Sequence, residues 1–342
     1  MIDVDTLLAG MGECVGLDVH RWTFEEPPRE SIRVPAGDEL PALAGVRTSV
    51  SLLDITDPGY SLRNGHLVDP ARRVVYEKKV VPLFAQLPVG LLPLEQPRHL
   101  RGSVACLSQF QNYGHWLCLA LPLISFYREA LGSDPDYYYV GSPVTQLHLE
   151  TLDLLGVGPE RIVGDAVAAD RLLVAIADRE EGCDEDFLLF ANRALCPIGG
   201  EALPGDRRLF VSRAGASQRR VRNEKECAQA LRETSGVELV VTDGMSLRDE
   251  IKLFRSAELV VGGHGAGLTN IAFAPTGARL VELASPTYWH SMFAEIAALK
   301  RQPHALVWGR PVGPSAGVPG TKHDYTVDVD RVVAAVAAAL AA

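Results

Sequence analysis

An α/β fold with a mostly parallel sheet, in a chain long enough for two domains, follows from three observations. After residue 206, short apolar runs of strand character alternate with amphipathic runs of helical character. The chain has 342 residues, 47% of them hydrophobic, which is enough to fill two ordinary cores. A glycine-rich turn, Gly262-Gly263-His264-Gly265-Ala266-Gly267, closes the apolar run Leu259 to Val261, where open α/β sheets hold ligands.

The first hundred residues are proline-rich and irregular, with β-like pieces at Thr48–Ile55 and Arg73–Tyr76 and no placeable chemistry. Regularity begins at Gly102. Ser103–Leu107 and Tyr137–Val140 read as strands, Trp116–Leu131 as a helix bent at Pro122, and Val144–Leu155 as a helix stopped by Gly156. Leu172–Ile176 is another apolar run. The charged stretch Asp178–Gly182, followed by Pro197, Gly199, Gly200, Pro204 and Gly205, marks a break. The predicted domains are therefore 1–185 and 207–342, joined by a linker at 186–206.

In the second domain Leu209–Ser212, Val237–Val241, Leu259–Val261, Arg279–Leu283 and Ala305–Trp308 read as strands. Asn223–Glu233, a helix through Phe254 started by Ser246 and Asp249, and Ser291–Leu299 lie between them. The final alanine-rich helix is expected to pack back across the domain junction.

With 33 basic and 43 acidic residues the formal charge is -10, which argues against a nonspecific nucleic-acid binder. Arg207, Arg208, Arg213, Arg219, Arg220 and Arg222 nonetheless form a local basic stretch suited to a small anion. Cys14, Cys106, Cys118, Cys183, Cys196 and Cys227 show no paired spacing, which favours free thiols in a reducing compartment. The apolar runs Trp116–Tyr127 and Val332–Ala342 fall short of the roughly 20 residues that span a bilayer. With no basic N-terminal region, a cytoplasmic protein is expected.

The glycines at 262, 263, 265 and 267 are expected to permit positive φ and close approach of a ligand. A helix beginning near Ala266 would aim backbone N–H groups at that turn, which makes it a seat for phosphate. No G-x-G-x-x-G threads these glycines, and there is no Walker lysine. Asp134/Asp136, Asp184/Asp186 and Asp328/Asp330 are read as solvated loop or helix-start charges rather than metal ligands, and no bound metal or cofactor is expected. No G-x-S-x-G nucleophile elbow occurs.

Three segments carry a family resemblance: Asn112-Tyr113-Gly114-His115-Trp116-Leu117 with Leu121-Pro122; Phe210-Val211-Ser212-Arg213 with Arg219-Arg220 and Asn223-Glu224; and Gly263 through Asn270 with Gly277-Ala278 and Glu282-Leu283. In order and spacing, over about residues 100 to 300, the chain resembles glycosyltransferase family 61. The resemblance implies a GT-B fold of two Rossmann-like domains facing across a cleft, a nucleotide-sugar donor, inversion at the anomeric carbon and no obligatory metal. It makes a glycan or other hydroxyl compound the acceptor, in polysaccharide or glycoconjugate synthesis.

The residues themselves suggest roles. Arg213, at the carboxyl end of a strand, suits bidentate bonds to a diphosphate, against the alternative of a surface arginine. Gly265, Ala266 and Gly267 supply backbone donors to the same group, and Arg219 and Asn270 complete the expected donor-binding set. Glu282 is expected on the ribose hydroxyls. A neutral His264 would donate to phosphate or sugar, or merely close the turn. His115 is the candidate base for the acceptor hydroxyl, or a helix-start histidine bonded to backbone. Asn112, Tyr113 and Trp116 are expected on the acceptor side, Trp116 alternatively in the core, and Asn223 as a helix cap. The competing functional reading is a nucleotide-sugar-binding protein without catalysis.

Overall fold

The structure is a computed structural model that describes residues 16–63, 66–68, 74–77, 96–107, 112–179, 185–196, 205–313 and 323–342, with Leu8, Met11 and Pro70. Cys14, Cys183, Asp184, Pro197, Gly199, Gly200 and Pro204 lie outside the described residues. The chain divides into two compact units, Met1–Glu25 with Arg47–Glu180, and Glu26–Val46 with Glu181–Ala342. The boundary thus falls near residue 180 rather than across a linker at 186–206, and residues 26–46 belong with the second unit.

The first unit is built on a nine-stranded mixed sheet. Its strands are β1 (Leu17–Glu26), β2 (Val46–Ile55), β3 (Ser61–Arg63), β4 (His66–Val68), β5 (Val74–Glu77), β6 (Arg98–Cys106), β7 (Tyr137–Tyr139), β8 (Ile162–Val163) and β9 (Val167–Arg179). β6 lies parallel to β7 and β9, while β2 and β3 run antiparallel to β9. The β-like pieces expected at Thr48–Ile55 and Arg73–Tyr76 correspond to β2 and β5, while β1, a ten-residue strand, lies in sequence that read as irregular. Polar residues interleaved along β1 mask its apolar period in the sequence.

Tyr113–His115 (α1), a π-helical turn at Trp116–Ala120 and Leu123–Leu131 (α2) form the expected helix, interrupted before Pro122. Tyr127 on α2 bonds the backbone of Cys106 and of Ala175, tying the helix to β6 and β9. Gln146–Leu154 (α3) is capped by Thr145, and Gly156 follows it at φ 79°.

The second unit contains β10 (Arg207–Val211), β11 (Glu238–Val240), β12 (Ala257–Gly263), β13 (Arg279–Ala284) and β14 (His304–Trp308). All pair in parallel, in the order β11-β10-β12-β13-β14. The short helices Glu185–Leu188 (α4) and Phe190–Leu195 (α5) bury Phe187, Leu188 and Leu195 at 0% exposure, so part of the expected linker is core. Glu224–Ser235 (α6), Leu247–Arg255 (α7), Met292–Leu299 (α8) and Val329–Ala341 (α9) complete the unit.

Val332, Ala335, Val336 and Ala339 recur at the spacing of one helix face, and that face joins Cys227, Ala228 and Leu231 of α6 over Leu259, Val261, Val281 and Leu283. The final helix accordingly packs within the second unit, correcting the expectation that it returns across a junction. Its N-terminus is capped by Asp328, which accepts from the Arg331 amide. Residues 26–46 join the same unit through bridges from Arg33 to His304 and from Asp38 to Leu306. No helix among the described residues is long and apolar enough to cross a membrane.

Candidate functional site

In the second unit the chain passes from β10 to the edge strand β11, then returns to the other side of β10 as β12. Such a reversal leaves a crevice outside the carboxyl ends of the two central strands. Arg213 follows β10, and His264 follows β12, so both stand at that crevice.

Glu224, at the start of α6, accepts from Ser212 Oγ (2.6 Å) and from the Arg213 amide (2.7 Å), fixing the backbone from which Arg213 departs. The Arg213 guanidinium donates to the carbonyls of Gln218 (3.1 Å) and Arg219 (3.4 Å). Among the described residues no carboxylate lies at ion-pair distance from it. Arg219 donates to the His264 carbonyl (3.2 Å) and lies 4.3 Å over the Tyr288 ring. It holds φ 57°, a left-handed conformation costing a non-glycine residue about 1–2 kcal/mol. Burial pulls the Arg213 guanidinium below its ordinary value, and burial followed by the charge of Arg213 does the same to Arg219. Two neighbouring, largely desolvated cations of this kind make a site for an anion.

The glycines serve this arrangement in a different way from that expected. None of the four lies in the left-handed region. Gly265 is extended (φ 167°), and a Cβ there would sit 1.7 Å from Arg213 Nη1. At Gly263 a Cβ would meet Arg213 Cδ at 2.7 Å and the Tyr325 hydroxyl at 3.1 Å. The glycines thus admit Arg213 to the turn. Gly265→Ala is expected to push the guanidinium aside and weaken diphosphate binding about tenfold, a change of ~1.4 kcal/mol. Calorimetry checks this, and stability should hardly move because the displaced atoms end a flexible side chain.

The turn leads into a seven-residue 3-10 helix, Ala266–Ala272, in place of the expected α-helix. Ala266 and Gly267 are half-buried. Asn270, expected on the donor, is fully buried and donates to Glu250 Oε2 (2.6 Å), so its amide anchors the 3-10 helix to α7.

Glu282 also departs from expectation. It has 0% exposure, so it cannot reach a ribose. Its Oε1 meets His264 Nδ1, and its Oε2 lies 3.0 Å from His304 Nε2. Burial alone would raise this carboxyl, but the two imidazoles outweigh it and hold the group well below the usual carboxylate range. Gly262 pairs with Glu282 across β12 and β13. The neighbour that fixes the His264 ring is this carboxylate, in place of the expected α-helix N-terminus. The rings of Tyr288, His290 and Phe293 surround His264 at centroid distances of 5.7, 4.3 and 5.0 Å. Tyr288 and His290 were missed in the sequence, although their place just past β13, at a carboxyl strand end, was the available signal.

The rest of the basic stretch is occupied structurally. Arg220 and Arg222 both pair with buried Asp324, at 3.0 and 2.9 Å. Asn223 stands at the start of α6 without a side-chain capping bond, and instead clamps the backbone of Val327 from both sides.

In the first unit Asn112 caps α1 by accepting from the His115 amide (3.2 Å). Tyr113 and His115 are half-buried. Trp116 is fully buried, donates to Thr151 Oγ1 (2.9 Å) and packs 4.4 Å from the His148 ring, so it is a core residue and not an acceptor contact. Asp134 binds Arg128 and Tyr138, and Asp136 binds Ser103. Both are fold anchors rather than solvated charges. Among the described residues no group of three or more His, Cys, Asp or Glu is placed to hold a metal.

The sequence profile described as Glycosyltransferase 61 matches residues 113–281. That stretch, just under half of the chain, is similar to glycosyltransferase family 61. It holds His115, Arg213, Arg219 and the whole glycine turn. The chain is 26% identical over 110 residues to the EGF domain-specific O-linked N-acetylglucosamine transferase of Canis lupus familiaris, covering 31% of this chain and 20% of that protein. To the enzyme of the same name from Mus musculus it is 27% identical over 111 residues, covering 31% and 21%. The chain thus spans about a fifth of the length of the curated relatives it matches.

Proposed function

We propose that this protein is an inverting glycosyltransferase of GT-B type, moving a sugar from a nucleoside-diphosphate donor to an acceptor hydroxyl in polysaccharide or glycoconjugate synthesis. The observation carrying this reading is the pair of desolvated guanidinium groups at the strand reversal, inside the stretch similar to the glycosyltransferase 61 family. Arg213 and Arg219 take the diphosphate, with the backbone of Gly265 to Gly267 beside them. As the sugar–phosphate bond breaks, charge grows on the diphosphate, and fixed cations in a dry site stabilise that change most. The guanidinium charges fill the part a divalent ion plays elsewhere, so turnover is expected in excess chelator.

His115 is the proposed base. Asn112 fixes its backbone, and its imidazole is half-buried. UDP-sugars, N-acetylglucosamine among them, are the first donors to test. His115→Ala is expected to lower kcat about 100-fold or more while leaving nucleoside diphosphate affinity unchanged. Near-normal turnover by the folded variant, assayed with chelator present, would move the base elsewhere. The alternative reading, a binding protein without catalysis, predicts diphosphate binding with neither transfer nor hydrolysis of the sugar.

A further inference from the structure

Holding a diphosphate does not by itself require the cluster beneath the glycine turn. His264, Glu282 and His304 are 1%, 0% and 1% exposed, and they come from three adjacent strands: His264 just after β12, Glu282 within β13 and His304 at the start of β14. Because Glu282 is held ionised, it accepts from His264, and Nδ1 of that ring carries the hydrogen. Nε2 is then the nitrogen that can take up or give a proton. It is buried and, among the described residues, without a hydrogen-bond partner. Natural interiors keep few polar atoms so left.

The charged and titratable groups facing this ring come from every element around it. Glu282 lies on β13, with His304 of β14 behind it. Arg219 holds the His264 carbonyl, and Arg213 lies against Gly265. Tyr288 and His290 present their rings from the loop after β13, and the Tyr325 hydroxyl approaches Gly263 while bonding the Leu283 carbonyl. Glu282 is the carboxylate on the ring itself, while Glu224, Asp243 and Asp324 act on Arg213. A cation at Nε2 would stand beside both guanidinium groups, and a bound anion offsets that repulsion.

We propose that His264 Nε2 takes up a proton as the diphosphate end of the donor binds, and passes it to a phosphate oxygen as the sugar leaves. The inference rests on the donor-site reading above. The bond from the anomeric carbon to the β-phosphate oxygen breaks, its electron pair staying on that oxygen, while the acceptor oxygen bonds the same carbon. The acceptor proton goes to the base, the His264 proton goes to the diphosphate, and water restores the latter before the next round. Glu282 and His304 are positioning residues: they fix which nitrogen of His264 is available and hold the ring at the turn.

Calorimetric titration with whichever of UDP, GDP, ADP or CDP binds most tightly, repeated in buffers of different ionisation enthalpy, tests this. The full-length protein is expected to take up more protons per ligand than His264→Gln, and the variant to lose about 100-fold in kcat. Glu282→Gln is expected to shift the pH profile of kcat. Equal proton uptake by the two proteins overturns the proposal and leaves the donor site standing. Absence of diphosphate binding by the unsubstituted protein overturns both. Should His264→Gln fail to fold, imidazole 15N shifts of the unsubstituted protein decide. One of its nine histidines becoming doubly protonated on ligand addition supports the proposal, and none doing so overturns it.

Discussion

Arg213→Ala is expected to weaken nucleoside diphosphate binding by at least about 30-fold, a loss of ~2 kcal/mol or more. The magnitude comes from where the guanidinium lies. It is largely desolvated, packed against Gly265, and its bonds within the protein go to two carbonyls. A phosphate arriving there finds a cation already stripped of water and already aimed, so little ordering remains to oppose binding. Folding stability is expected to change by about 1 kcal/mol or less, because removing the side chain also removes a largely desolvated charge with no carboxylate at ion-pair distance among the described residues. Arg213→Lys should recover only part of the affinity, since an ammonium cannot match two phosphate oxygens as a planar fork does. Calorimetry on the folded variants reads both results. Unchanged affinity in Arg213→Ala would place the diphosphate elsewhere.

The place of this site was legible in the sequence because it depends on chain order. Strand and helix alternate after residue 206, and Arg213 and His264 follow the two strands that become central. What the sequence hid is how side chains share space. A glycine needed for positive φ and one needed to admit an arginine read alike, and only the 1.7 Å clash at Gly265 separates them. Glu282 looked like an acid at an open strand end, but His264 and His304 face its two oxygens and it is fully buried. Arg220 and Arg222 belong to the same basic run as Arg213. Asp324, over a hundred residues away, claims them both, and no local pattern reports such a partner. The pairing of residues 26–46 with β14 is invisible for the same reason.

Glu282→Gln should cost about 3 kcal/mol of folding stability at neutral pH, because one partner of a buried charged cluster is replaced. Glutamine keeps a single acceptor oxygen. Its amide then faces the second imidazole with a donor, and one histidine must change tautomer or lose its bond. The pH dependence provides the sharper test. The Glu282 carboxyl is depressed from 4.5 to about 2 by His264 and His304, against the upward pull of burial. A carboxylate depressed on folding contributes stability that is fully present above its unfolded value and is lost as pH falls through its folded value. The advantage of the natural protein over Glu282→Gln should therefore hold from neutrality down to about pH 4.5, then shrink towards pH 2 by up to roughly 3 kcal/mol. At the acid end a protonated Glu282 and a glutamine are both neutral, so the two proteins converge. Urea denaturation at a series of pH values measures the gap directly. A gap that stays constant to pH 2 would mean the carboxylate is not what steadies His264, and the positioning role of Glu282 would fall with it.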